Sequence, residues 1–160
     1  MKGKKGKGPR YYFAYGANMN LRAMKHRCPK ARLIGPATIE GFKLVFRGVA
    51  DIEEDPKGKV LGALWILEPS DERNLDAFEG YPFHYIKRDV RVNVNGSGAR
   101  VWAMAYIMRS QGLSRLGQYA PMEHYAKGIL EGYQAMGHNT KPLIASIAAS
   151  IRSADGRAKR

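Results

Sequence analysis

Several things are scarce in these 160 residues, and each scarcity removes a class of function. There is one cysteine, Cys28, so no disulfide forms within the chain. A reducing, cytoplasmic setting is the expectation. Uninterrupted apolar runs are short, and none approaches the ~20 residues needed to span a bilayer. The basic opening, MKGKKGKGPR, is followed by no apolar signal core, so no secretory signal and no membrane partner are expected. Metal-ligand spacing is missing as well. His26, His84, His124 and His138 form no helical pair with a carboxylate, and there is no CxxC. No phosphate-cradling glycine loop occurs. Neither a metal nor a cofactor is expected. Cys28, before Pro29 in a basic stretch, is a weak nucleophile candidate on charge alone.

Acidic residues are also scarce: 14 Asp and Glu stand against 27 Lys and Arg, a net charge of +13. The excess is concentrated at the ends. Residues 1–10 hold five Lys/Arg and no acid, and residues 152–160 hold four Lys/Arg and one Asp. That leaves 18 basic and 13 acidic groups, a net of +5, in residues 11–151. The expected organisation is a flexible basic tail over 1–10, one folded domain over 11–151 and a second basic tail over 152–160. Nucleic acid is not expected as a partner. A mildly positive body draws anionic small molecules inward. The oligomeric state has no signal in the sequence.

What is present is a chain of alternating and buried-type apolar segments. Tyr11–Tyr15 reads as a buried strand that breaks at Gly16-Ala17-Asn18, and Met19–Cys28 as a short helix ended by Pro29. Gly41–Gly48 and Val60–Leu67 read as strands separated by a turn-rich acidic loop, ADIEEDPKGK. Ser70 is a good N-cap for a helix over Asp71–Glu79, and Gly80 a good stop. His84–Val94 and Ala99–Met108 form a hairpin across Asn95–Gly98. Gln111–Ala120 reads as a loop. Pro121 opens a helix with Tyr125, Ile129, Leu130, Tyr133 and Met136 on one side, and Thr140 caps a last helix with Leu143, Ile144, Ile147, Ala148 and Ile151 as its stripe. The expected class is α+β: a small, mixed, largely antiparallel sheet closed into a β-barrel, with short flanking helices.

Three segments carry chemistry, and each also has an ordinary structural reading. The Tyr-Gly-Ala-Asn turn is either punctuation or a run of backbone N–H groups that binds a carboxylate or an oxyanion. Glu79 is either a solvated helix-end residue or a general base. A helix C-terminus and the surrounding Phe78, Tyr81, Phe83 and Tyr85 both disfavour its charge and raise its pKa. Tyr125 is either core or a substrate contact.

The three together resemble the γ-glutamylcyclotransferase family. YFAYGANM (Tyr12–Met19) is similar to the family's strand ending in Tyr-Gly-Ser-Asn. LDAFEGYP (Leu75–Pro82) resembles its Glu-Gly segment after a short helix. PMEHYAKGILEGYQAMG (Pro121–Gly137) resembles its Pro-x-x-x-Tyr helix. The order matches, over about Tyr11–Asn139. The resemblance implies catalysis by Glu79 and substrate binding by Tyr12, Phe13, Ala14, Tyr15, Gly16, Ala17 and Tyr125. The implied reaction is release of 5-oxoproline from a γ-glutamyl compound, with no cofactor. Ala17 stands where the family has Ser; little changes if that position acts through its backbone. Two alternatives remain: a relative acting on a γ-glutamylamine or an antibiotic intermediate, and a non-enzymatic domain whose basic tails bind nucleic acid or a partner.

Overall fold

A computed structural model describes residues 8–109 and 117–160. Five strands form a closed barrel: β1 (Arg10–Ala14), β2 (Arg32–Phe46), β3 (Ala50–Leu67), β4 (Tyr85–Val94) and β5 (Arg100–Met108), in the order β1-β3-β2-β4-β5. All neighbours are antiparallel except the seam, where β5 meets β1 in parallel at Met104 and Tyr12. Cross-strand partners share a face, so Val60, Ile39 and Val92 stack across β3, β2 and β4, all buried. Outside the barrel lie α1 (Leu21–Arg27), α2 (Pro69–Glu79), α3 (Glu123–Ala135) and α4 (Lys141–Ala158). Among the described residues no helix is long and apolar enough to cross a membrane.

The α+β barrel expected from the sequence is therefore the observed architecture. Several local expectations are corrected. The acidic stretch ADIEEDPKGK is not a loop; it lies within β3, and β2 begins at Arg32 rather than Gly41. The ladder pairs Glu40 with Lys59 and then Phe42 with Glu54. The single Gly41 thus faces the four residues Asp55–Gly58, and the Pro56 and Gly58 turn signals form a bulge instead of ending the strand. The helix expected over Met19–Cys28 divides into a 3-10 turn, Ala17–Met19, and α1. Asn20 separates them because its side chain accepts the Ala23 N–H at 3.0 Å and starts α1 afresh. In α2 the cap is Glu68, not Ser70, and Glu68 and Asp71 make a reciprocal capping box. Pro121 lies two residues before α3 instead of opening it.

The C-terminal stretch expected as a basic tail is largely helical, since α4 continues through Ala158. Ala and Arg favour helix. The stretch is also anchored: Arg157 stacks 4.0 Å above the Tyr119 ring and donates to Ser153 Oγ and to the Gln118 carbonyl. Residues 1–7 of the expected N-terminal tail, and 111–116 of the expected loop, lie outside the described residues. Arg10 opens β1 and pairs with Glu72 at 2.7 Å.

Packing of α3 on the 3-10 turn sets up the site. Ile129 and Tyr133 of α3 are buried, as is Met136 just after it, as the stripe predicts. Gly132 lies against Met19, where an added Cβ would come within 2.9 Å of the Met19 carbonyl carbon. Only a residue without a side chain allows this approach, which brings Tyr125 over the turn.

Candidate active site

Glu79 is the last residue of α2, and that helix is held at several points. Asp76 accepts from Tyr106 Oη at 2.5 Å, and Lys87 Nζ lies 3.0 Å from Glu72 and 2.9 Å from Asp76. Leu75 is fully buried beneath it. Gly80, in the left-handed region at φ 65°, ends the helix, and the chain turns away through a cis Tyr81–Pro82 peptide. The Glu79 carboxylate is thereby left at the wall of a cavity of about 160 Å³. The volume corresponds to about five liquid waters, room for the reacting end of a small polar molecule.

Opposite walls of this cavity come from the strand end and from α3. Tyr12, Tyr15, Gly16, Ala17 and Asn18 line it, as does Tyr125. Gly16 fits tightly there; a Cβ would lie 2.9 Å from that of Ala50. Ala17 and Asn18 open the 3-10 turn at the cavity wall, and the opening amides of a helical turn have no partner within the turn. Tyr125 Oη accepts the Ala50 N–H at 2.9 Å, and Tyr85 Oη donates to the Ala50 carbonyl at 2.9 Å. One residue at the start of β3 therefore holds two of the cavity's tyrosines.

Asn18 organises the charge. Its amide donates to Glu79 Oε1 at 3.2 Å and to Tyr12 Oη at 3.0 Å, and its carbonyl accepts from Arg27 at 2.7 Å. Arg27 also stacks over Phe78, 3.8 Å from the ring centre. The nearest cation thus reaches Glu79 only through an amide. Burial pushes the Glu79 carboxyl up to about 7, and Arg27 offsets part of that rise. Burial likewise holds the Tyr12, Tyr15, Tyr85 and Tyr106 hydroxyls protonated, and pushes Tyr125 up to about 12. These phenols act as hydrogen-bonding walls; Glu79 is the group that changes protonation near neutrality.

Not every sequence candidate reaches the cavity. Phe13 and Ala14 are fully buried in the barrel core and do not line it. Successive strand side chains point to opposite faces, so Phe13 turns away from Tyr12, and its ring packs where a Cβ on Gly62 would sit. Cys28 is buried, and desolvation pushes its thiol up to about 12, which removes it as a nucleophile. Sequence reasoning misses Asn18, Arg27, Ala50 and Tyr106 as site residues, and expects Tyr85 only as part of the aromatic surroundings of Glu79. Asn18 carries a signal, as the last residue of the Tyr-Gly-Ala-Asn turn; the others come together only through barrel closure.

Comparison with known proteins gives this geometry a family. Residues 12–127 match the model described as Gamma-glutamyl cyclotransferase, AIG2-like. The chain belongs to that family. Among its curated relatives, the Gamma-glutamylcyclotransferase of Homo sapiens is 29% identical over 110 residues, covering 61% of this chain. This chain spans 58% of the human relative's length. The Bos taurus protein of the same name is 27% identical over 138 residues, 79% of this chain and 71% of its own. A solved structure titled Gamma-glutamyl cyclotransferase has the same fold, with a TM-score of 0.75, 24% identity and coverage of 86% of each chain. YkqA from Bacillus subtilis gives 0.70 at 25% identity, over 90% of this chain and 54% of its own. The family match takes in the end of β1 from Tyr12 with its turn, Glu79 and Tyr125 together.

Proposed function

We propose that this protein is a cyclotransferase that releases 5-oxoproline from a γ-glutamyl compound, with Glu79 as general acid and base. The observation that carries the reading is a carboxylate raised to about 7 at a cavity wall, facing the turn of Gly16–Asn18 across a space of substrate size. Family membership supports the same chemistry.

The substrate brings its own nucleophile. Its α-ammonium first gives a proton to ionised Glu79. The free amine then attacks the γ-carbonyl carbon, forming the new C–N bond of a five-membered ring. Because the reacting groups belong to one molecule, neither a covalent enzyme intermediate nor a second substrate is needed. The oxygen that becomes negative is stabilised by the Ala17 and Asn18 N–H groups. Collapse breaks the original amide C–N bond as Glu79 returns its proton to the leaving nitrogen. The ring nitrogen loses its remaining extra proton, and the released amine takes up one from water. Tyr125, fixed by Ala50, orients the glutamyl end, and the Tyr12–Ala17 segment acts chiefly through its backbone.

A pKa near 7 suits both halves of this cycle. Substitution of Glu79 by Gln keeps size and hydrogen bonding but removes the base. The folded Glu79→Gln protein is expected to form no measurable 5-oxoproline from a panel of γ-glutamyl compounds that the wild type turns over. Wild-type rates in that variant would overturn the mechanism.

A further inference from the structure

Beside the cavity lies a second and larger depression, a groove of about 690 Å³ between α1 and α3. Ala17 and Tyr125 line both, so a molecule reacting in the cavity continues into the groove past these two residues. The two helices are tied at the groove floor by Asn20, whose amide donates to the Gly128 carbonyl and to Glu131, each at 3.0 Å.

The groove carries an excess of positive charge: three cations line it against one carboxylate. Arg22 and Arg27 line it from α1 and Lys127 from α3, with the imidazoles of His26 and His124 between. Its one carboxylate, Glu131, is engaged by Asn20. Among the described residues no carboxylate comes within ion-pair distance of Arg22, Arg27 or Lys127. Three cations on two facing helices attract an anion that enters between them. Glu131 offsets one of the three cations and leaves an excess of two positive charges for a ligand to meet. The groove is also several times larger than the cavity that takes the reacting end.

Resting on the cyclotransferase reading above, we propose that this groove holds the leaving part of the substrate and selects a leaving amine with at least two negative charges. Arg22 and Lys127 are then specificity-determining residues, one on each helix. Mutual orientation follows: the scissile amide sits at the Ala17–Tyr125 boundary, with the glutamyl part toward Glu79 and the anionic part toward α1 and α3. The anions are carboxylates or phosphate, and the experiment separates them.

The test compares kcat/KM for 5-oxoproline release from four compounds: γ-glutamyl-alaninamide, γ-glutamyl-alanine, γ-glutamyl-glutamate and γ-glutamyl-phosphoserine. Each added negative charge is expected to raise kcat/KM by up to about fivefold at low salt, the upper range for an exposed charge pair. The differences shrink as salt rises. The double variant Arg22→Gln, Lys127→Gln is expected to bring the ratio of γ-glutamyl-glutamate to γ-glutamyl-alaninamide close to one. The charge-keeping pair Arg22→Lys, Lys127→Arg restores it, which a purely structural role would not do. A gain from glutamate to phosphoserine beyond about fivefold, the scale expected of one added charge, identifies phosphate as the anion; a smaller or no gain identifies carboxylates. Equal kcat/KM across the panel, or a preference that survives the Gln pair, overturns the groove assignment while leaving the cyclotransferase reading intact. Absence of 5-oxoproline from all four overturns the cyclotransferase reading and the groove assignment with it.

Discussion

Glu79 and Asp51 are both carboxylates withdrawn from water, and the protein holds them in opposite ways. Asp51 is buried with its charge compensated: Arg47 Nε lies 3.2 Å away, and the Met108 N–H donates at 3.0 Å. Arg47 itself is shared with Glu53 at 2.8 Å and the Gly117 carbonyl at 3.2 Å. Glu79 receives one amide hydrogen from Asn18, and its nearest guanidinium is on the far side of that amide. A compensated buried carboxylate is a structural strut. A carboxylate with one neutral donor, at an open cavity, takes up and releases a proton near neutrality. Asp51 adjoins Ala50, which fixes Tyr85 and Tyr125, so the strut supports the cavity that Glu79 serves.

The contrast can be tested by neutralising each group. The largest effect is expected in turnover: Glu79→Gln lowers 5-oxoproline release by at least about 100-fold, the usual scale for loss of a general base. Asp51→Asn acts on stability instead. It removes a charge partner from buried Arg47 and costs about 3 kcal/mol in denaturant unfolding. Turnover per folded molecule should change far less than in Glu79→Gln; an equal loss would erase the distinction.

Glu79→Gln should also change stability, and with the opposite sign. A carboxyl whose folded pKa is raised from 4.5 to about 7 binds more protons folded than unfolded between those values. Wild-type stability therefore falls as pH rises through that window and stays reduced above it. At pH 8 the Gln variant is expected to be more stable than wild type by about 2 kcal/mol, allowing for partial exposure, and the gain should vanish below pH ~4.5. The smallest effect is expected at Ala17. Ala17→Ser restores the hydroxyl of the related motif, and if the turn acts through its backbone, kcat/KM should change by less than about threefold. A larger change would assign the hydroxyl a direct role.

Much of this arrangement is readable in the chain, for identifiable reasons. α2 is readable because acidic residues open it and Gly80 ends it, and those two signals alone place Glu79 at a helix C-terminus. The β4–β5 hairpin is readable from Asn95–Gly98 and the alternating valines. The Ala50–Lys59 half of β3 is not, because Pro56 and Gly58 look the same whether a strand ends or bulges; pairing to β2 decides between them. Likewise, an apolar run such as Tyr11–Tyr15 conceals its own alternation, so the motif groups Phe13 with the cavity residues although it faces the core. The part of the site least visible in sequence is the Asn18 network, since its contact with Glu79 spans 61 positions and exists only once the barrel closes.

The central claim is that burial, only partly offset by Arg27, makes Glu79 titrate where the proposed catalysis needs it. Carbon-13 NMR of the labelled Glu carboxyls against pH, with the Glu79 signal assigned by its disappearance in Glu79→Gln, measures this directly. A midpoint near 7 is the predicted result. A midpoint near 4.5, the ordinary value for a solvated Glu, would contradict it.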